Sequence, residues 1–139
     1  MGEKIVELRN ELSEVQRLSE EIEDFGTQYA LSPEVVFQLN LALEEAVTNV
    51  ISYGFDDGRP HLLTVRLALE DGLLRAQVED DGVAHDPLQT PPPDLDASLE
   101  ERKVGGLGIH LVKELMDEVS YLRSDERNIL TMNKHVLAE

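Results

Sequence analysis

The segment Leu39 to Gly54, LNLALEEAVTNVISYG, constrains the fold more than any other stretch of this chain. Its apolar residues Leu39, Leu43, Ala46, Val47 and Val50 recur at helical spacing, which predicts an amphipathic helix with one face packed on a core. Ser32-Pro33 provides a start: the serine side chain can accept from free backbone N–H groups, and proline at the first helical position loses nothing. Gly54 is a natural stop. Glu45 and Asn49 are one helical turn apart on one face, at the border of the apolar stripe. A proton acceptor thus stands beside a neutral oxygen donor suited to Mg²⁺, which takes few protein ligands and leaves the rest to water and phosphates. The plain alternative is a pair of solvated side chains on an ordinary helix.

Two later patterns weigh against that alternative: DDG at Asp80 to Gly82, and a glycine cluster at Gly105, Gly106 and Gly108. Around them the rest of the chain reads in order. Lys4 to Arg9 is apolar enough for a short strand, and Asn10 is placed to cap a helix from Glu11 to about Tyr29. Leu12, Val15, Leu18, Ile22 and Phe25 form that helix's buried face. Glu14, Glu20, Glu21, Glu23 and Asp24 make an acidic outer face, normally solvated and occasionally a docking site. His61 to Glu70 alternates, with Leu63, Val65, Leu67 and Leu69 on one side and Thr64, Arg66 and Glu70 on the other. Asp71-Gly72 is a hairpin signal, and Leu74, Ala76 and Val78 return facing inward.

The same alternation points Asp80 inward, where a carboxylate without a partner is costly. Three readings stay open: an edge residue just past the sheet, an Asp-Asp-Gly turn, or an acceptor for a ligand's exocyclic amine in an apolar pocket, with Gly82 permitting close backbone approach. Adenine has such an amine. From Val83 to Val104 periodicity fails, with a triple proline and no base until Arg102. This predicts an irregular lid over about residues 86–104, or a disordered segment. The glycines then run into a helix with Ile109, Val112, Leu115 and Met116 on its apolar face. Such a helix start offers unpaired N–H groups and a positive dipole end to phosphate. The run is neither a Walker A loop nor a dinucleotide fingerprint. A final hairpin is predicted from Val119 to Arg123 and Ile129 to Val136, turning over Ser124 to Asn128. Thr131 in its last strand is within reach of Asp80's pocket, although a β-branched residue suits a strand anyway.

Composition excludes several functions. The net charge of −17 opposes nucleic-acid binding and favours basic protein surfaces. There are no cysteines for disulfides or thiolate metal sites. No apolar run approaches the roughly 18 residues a membrane span needs, and the charged N-terminus is unlike a signal peptide, so a cytoplasmic location is expected. His61, His85, His110 and His135 lack metal-ligand spacing and read as structural or surface residues. A length of 139 residues predicts a single domain, 1–139. The element order predicts an α+β two-layer sandwich: a mostly antiparallel sheet covered on one face by helices, with a pocket between the layers under the lid.

At this point LALEEAVTNVISYG resembles the N-box of the histidine-kinase-like ATPases, the superfamily of gyrase, mismatch-repair and sensor-kinase ATP-binding domains. DDG looks like the first glycine box and GGLGIHLV like the second. Nearly the whole chain is similar to one branch, the bacterial anti-sigma-factor serine kinases of partner-switching systems, and VGGLGIHLVKELMDEV is the most specific run. The resemblance implies ATP and Mg²⁺ as cofactors. It implies Glu45 as the base that polarises the attacking hydroxyl, Asn49 as the Mg²⁺ ligand, Asp80 on the adenine amino group and Gly82 at the base's edge. Thr131 would contact a water or nitrogen near the base. Gly106 and Gly108, with Gly105 and Leu107 of the same run, would meet the phosphates, and Arg102 or Lys103 the terminal one. Ala84 departs from the pattern, which commonly has a second glycine in the first box, so backbone approach there is looser.

The implied function is an ATP-dependent serine protein kinase and anti-sigma factor. It would phosphorylate a serine of an anti-sigma-factor antagonist and bind a sigma factor, without membrane or direct nucleic-acid contact and with a homodimer open to it. The alternative is an ATP-binding module that sequesters a protein partner with little or no turnover; the intact Glu45 favours the kinase. A detached sensor-kinase domain is disfavoured, because the chain has no long helix carrying a phospho-accepting histidine.

Overall fold

A computed structural model describes residues 2–55, 57–84, 88 and 108–136. Its elements are β1 (Gly2–Arg9), α1 (Glu14–Gln28), α2 (Pro33–Tyr53), β2 (Leu62–Glu70), β3 (Leu73–Asp80), α3 (Gly108–Leu115), β4 (Glu118–Ser124) and β5 (Arg127–His135). The strands form one sheet in the order β1-β2-β3-β5-β4, and every neighbouring pair is antiparallel. The fold is α+β, as the alternation of the strands and the spacing of the helices require.

Period-two patterning decides which sheet face is covered. Val6 and Leu8, Leu63, Val65 and Leu67, Leu74, Ala76 and Val78, and Leu130 and Met132 are buried together with Leu18, Ile22 and Phe25 of α1 and Leu39, Leu43 and Val47 of α2. Val112 and Met116 add α3 and the turn after it to the same core. Removing a large member such as Phe25 would cost about 3–5 kcal/mol, because the cavity left behind adds to the lost burial. The other sheet face carries Arg66, Gln77, Glu79, Arg127 and Thr131 and has no helix over it among the described residues.

α2 begins as expected: the Ser32 hydroxyl accepts from the backbone N–H of Val35 at 3.2 Å, and Pro33 stands at the first helical position. Asp71 and Gly72, with φ of +50° and +77°, make the β2–β3 turn. Three local expectations change. Asn10 does not cap α1, which starts later, at Glu14; instead its backbone and side chain bond His61 and its amide donates to the Arg59 carbonyl, tying the end of β1 to the loop before β2. Leu12 therefore lies outside the helix and is 58% exposed. The β4–β5 turn is two residues rather than five. Asp125 and Glu126 both take positive φ, which lets the strands continue through Ser124 and Arg127 and places Asn128 inside β5.

Candidate active site

The cleft that opens at one end of the covered face collects residues from five elements. α2 contributes Glu45, Ala46, Asn49 and Val50, β3 contributes Val78 and Asp80, and α3 contributes Val112. Tyr121 comes from β4, Asn128 and Leu130 come from β5, and Gly54 and Val83 close the rim. About 550 Å³ of space lies within it, open solvent at its mouth included. Its walls are chiefly apolar, and the lining residues include two carboxylates, Glu45 and Asp80, with no lysine or arginine among the described residues.

The helical register of α2 places Glu45 and Asn49 together in the cleft, as their spacing required. Both are half-buried. Burial, and secondarily repulsion from Glu44, pushes the Glu45 carboxyl above its ordinary value, which makes it a better proton acceptor once ionised.

Asp80 ends β3 facing the core, with 3% of its surface exposed. Its Oδ1 accepts from the backbone N–H of Gly82 at 2.8 Å and from Asn128 Nδ2 at 3.0 Å. The strand-alternation reading is thus right, and the carboxylate's partners are neutral donors. The residues after Asp80 are held from several sides. His61 Nδ1 is 3.0 Å from Asp81, and Arg123 Nη1 donates to the Gly82 carbonyl at 2.8 Å. The Val83 N–H donates to the Gly54 carbonyl at 2.8 Å, and Asn128 Nδ2 also donates to the Val83 carbonyl at 2.9 Å. Gly82 is needed for this approach of two loops: a Cβ there would lie 2.1 Å from the Gly54 carbonyl oxygen. Ala84, on the exposed side of the turn, meets no such demand.

His61 is a structural residue of the rim. Its ring stacks on Phe55 with centroids 4.3 Å apart, and Nε2 lies 2.9 Å from the Asp57 carboxylate. Hydrogen bonding to Asp57, with Asp81 on the other nitrogen, raises its pKa.

Thr131 does not reach the cleft. It pairs with Gln77 across β3 and β5, and its hydroxyl accepts from Gln77 Nε2 at 3.0 Å on the open face. The correction follows from parity: Leu130 and Met132 are buried, so Thr131 between them must face the other way. Asn128, two residues before Leu130, and Tyr121, which pairs with Leu130 from β4, stand in the cleft instead. Counting back by two from Leu130 would have found Asn128 had the turn been taken as two residues. Gly108 is the first residue of α3, while Arg102, Lys103, Gly105, Gly106 and Leu107 lie outside the described residues. So does the expected lid, except Leu88, which packs on the core and whose carbonyl accepts from Lys113 Nζ at 3.4 Å.

A family model described as the histidine kinase-like ATPase domain matches residues 8–134. The serine/threonine-protein kinase BtrW of Bordetella bronchiseptica is 34% identical over 103 residues, 74% of this chain and 72% of that kinase. An anti-sigma F factor of Geobacillus stearothermophilus is 28% identical over 102 residues, 68% of this chain and 65% of its own length. The crystal structure of the RsbU and RsbW domains of Rv1364c from Mycobacterium tuberculosis matches all of this chain and 34% of that one, with a TM-score of 0.72. At 14% identity that match speaks for the fold alone.

Proposed function

The chain belongs to the anti-sigma-factor serine kinases of the histidine-kinase-like ATPase family, and from that premise we propose that the cleft binds ATP and transfers its γ-phosphoryl group to a serine of an antagonist protein. The observation that carries this reading is the pairing of Glu45 with Asn49 across from a buried Asp80 in one apolar-walled cleft. Asp80 has an oxygen with no protein partner among the described residues, which suits the 6-amino group of adenine. At the other wall Asn49 would hold Mg²⁺. When bound with ATP the metal would neutralise phosphate charge, a need sharpened by the carboxylates that line the cleft. Glu45 accepts the serine hydroxyl's proton as that oxygen attacks phosphorus, and ADP leaves. Its raised pKa makes the ionised carboxylate a stronger proton acceptor. The helix start at Gly108, with Gly105, Gly106 and Leu107, would cradle the phosphates, and Arg102 or Lys103 would meet the terminal one.

The same protein would hold a sigma factor when the antagonist is phosphorylated, and a cytoplasmic location suits an ATP-consuming regulator. No helix among the described residues is long and apolar enough to cross a membrane. The second reading, an ATP-dependent binder with little turnover, is disfavoured by the placement of Glu45 in the cleft.

The deciding experiment is single-turnover phosphoryl transfer from radiolabelled ATP to the cognate antagonist, alongside nucleotide affinity on the same preparation. Glu45→Ala should lower transfer by about 10²–10⁴-fold while Mg·ATP affinity stays near wild type. Asn49→Ala should weaken Mg·ATP itself. Parallel loss of binding and transfer in Glu45→Ala would make Glu45 structural, and unchanged transfer would remove it from the chemistry.

A further inference from the structure

Buried Asp80 and Asn128 and half-buried Tyr121 form one polar chain in an otherwise apolar wall. The Tyr121 hydroxyl donates to Asn128 Oδ1, and Asn128 Nδ2 donates to Asp80 Oδ1 at 3.0 Å and to the Val83 carbonyl at 2.9 Å. The amide therefore has one orientation. Turned over, its oxygen would face a carboxylate and a carbonyl, acceptor against acceptor. Asn128 is 7% exposed and Asp80 is 3% exposed, so water does not readily replace a lost partner.

The consequence lies in the count of acceptor sites. Each carboxylate oxygen offers about two. Both on Asp80 Oδ1 are used, one by the Gly82 N–H and one by Asn128 Nδ2. Among the described residues nothing occupies Oδ2, which is left for a ligand. The 6-amino group of adenine needs one acceptor. Guanine presents N1–H and a 2-amino group side by side, a fork that a carboxylate satisfies best with both oxygens, and it places an oxygen where adenine has its amine.

Resting on the reading of Asp80 as the purine contact, we propose that Asn128, oriented by Tyr121, is a specificity-determining residue: by occupying Asp80 Oδ1 it makes the carboxylate a single-acceptor reader that selects adenine over guanine. Asn128 acts through Asp80, and Tyr121 acts through Asn128.

Titration calorimetry with the magnesium complexes of ATP, GTP and purine riboside triphosphate, which lacks the 6-amino group, separates the possibilities. In Asn128→Ala the ATP-over-GTP preference should fall by about tenfold or more. Affinity for purine riboside triphosphate should change little, because that base makes no amine contact with Asp80. Tyr121→Phe, which keeps both acceptors of the amide in place, should move the preference in the same direction by less. It also serves as the test should thermal unfolding show Asn128→Ala to be unfolded. An unchanged ATP-over-GTP ratio in a folded variant, or an equal loss for all three nucleotides, would overturn the proposal. If Asp80→Asn leaves ATP binding untouched, it is the purine reading of Asp80 that falls.

Discussion

On the open face of the sheet Glu79 lies between two guanidiniums, Arg127 Nε at 2.7 Å and Arg66 Nη1 at 3.2 Å, whereas on the covered face its neighbour Asp80 meets, among the described residues, an amide and a backbone N–H. Burial opposes ionisation of Glu79, but Arg127 and Arg66 outweigh it and hold the carboxyl below its ordinary value. The open face repeats this self-sufficiency in Gln77 and Thr131, which satisfy each other. A carboxylate matched by fixed cations is complete within the protein. One engaged on a single oxygen by neutral donors keeps an acceptor for something outside the chain, and it does so in the cleft that Glu45 and Asn49 also line. Asp81 supplies a third case at the rim, where its partner is the titratable His61.

The contrast is broken most directly by swapping each acid for its amide. Asp80→Asn should weaken ATP by about 10- to 100-fold, since the new amide can present a donor to a donor in a buried site. Glu79→Gln should leave ATP affinity within about twofold and cost at most about 1 kcal/mol of stability, as expected for pairs with partly exposed arginines. That small contribution has a sign: with a lowered folded pKa, it is present above the ordinary carboxylate range and lost as pH falls through the folded value. Calorimetric titration and thermal unfolding of the two variants read both halves. Equal effects on ATP would erase the distinction between the faces.

A smaller effect is expected at the rim. The His61 pKa is raised, first by its bond to Asp57 and then by Asp81, so its stabilising contribution is full below the ordinary histidine value and fades as pH rises through the raised one. Among the described residues the charged groups facing it are those two carboxylates, with Arg59 beside Asp57 through a backbone bond. The melting temperature of wild type should exceed that of His61→Asn most at about pH 6, and the gap should narrow toward about pH 9. A gap independent of pH would mean the ring stabilises by stacking on Phe55 alone. The smallest effect belongs to Thr131→Val, which should leave ATP affinity within about twofold because the lost hydroxyl bonds Gln77 on the far face. A tenfold loss would return Thr131 to the nucleotide site.

The sequence by itself determined the element order, the covered face of the sheet and the α2 pair. Each rests on a local period: 3.6 residues carries Glu45 and Asn49 to one side of a helix, and two residues carries Asp80 to the side of Val78. Only the tertiary structure decided which groups complete the site. Asn128 was hidden because no glycine marks the β4–β5 turn. Asp125 and Glu126 take positive φ with side chains attached, and the tighter turn draws into the sheet a residue that composition assigns to a loop. The need for Gly82 likewise became plain only once the Gly54 carbonyl was seen against it, 28 positions earlier in the chain. The helix and strand periods are set by neighbours along the backbone, where local sterics act. The partners of Asp80 are set by which strand ends meet at the rim of a packed core, and that depends on every turn and register in the sheet together.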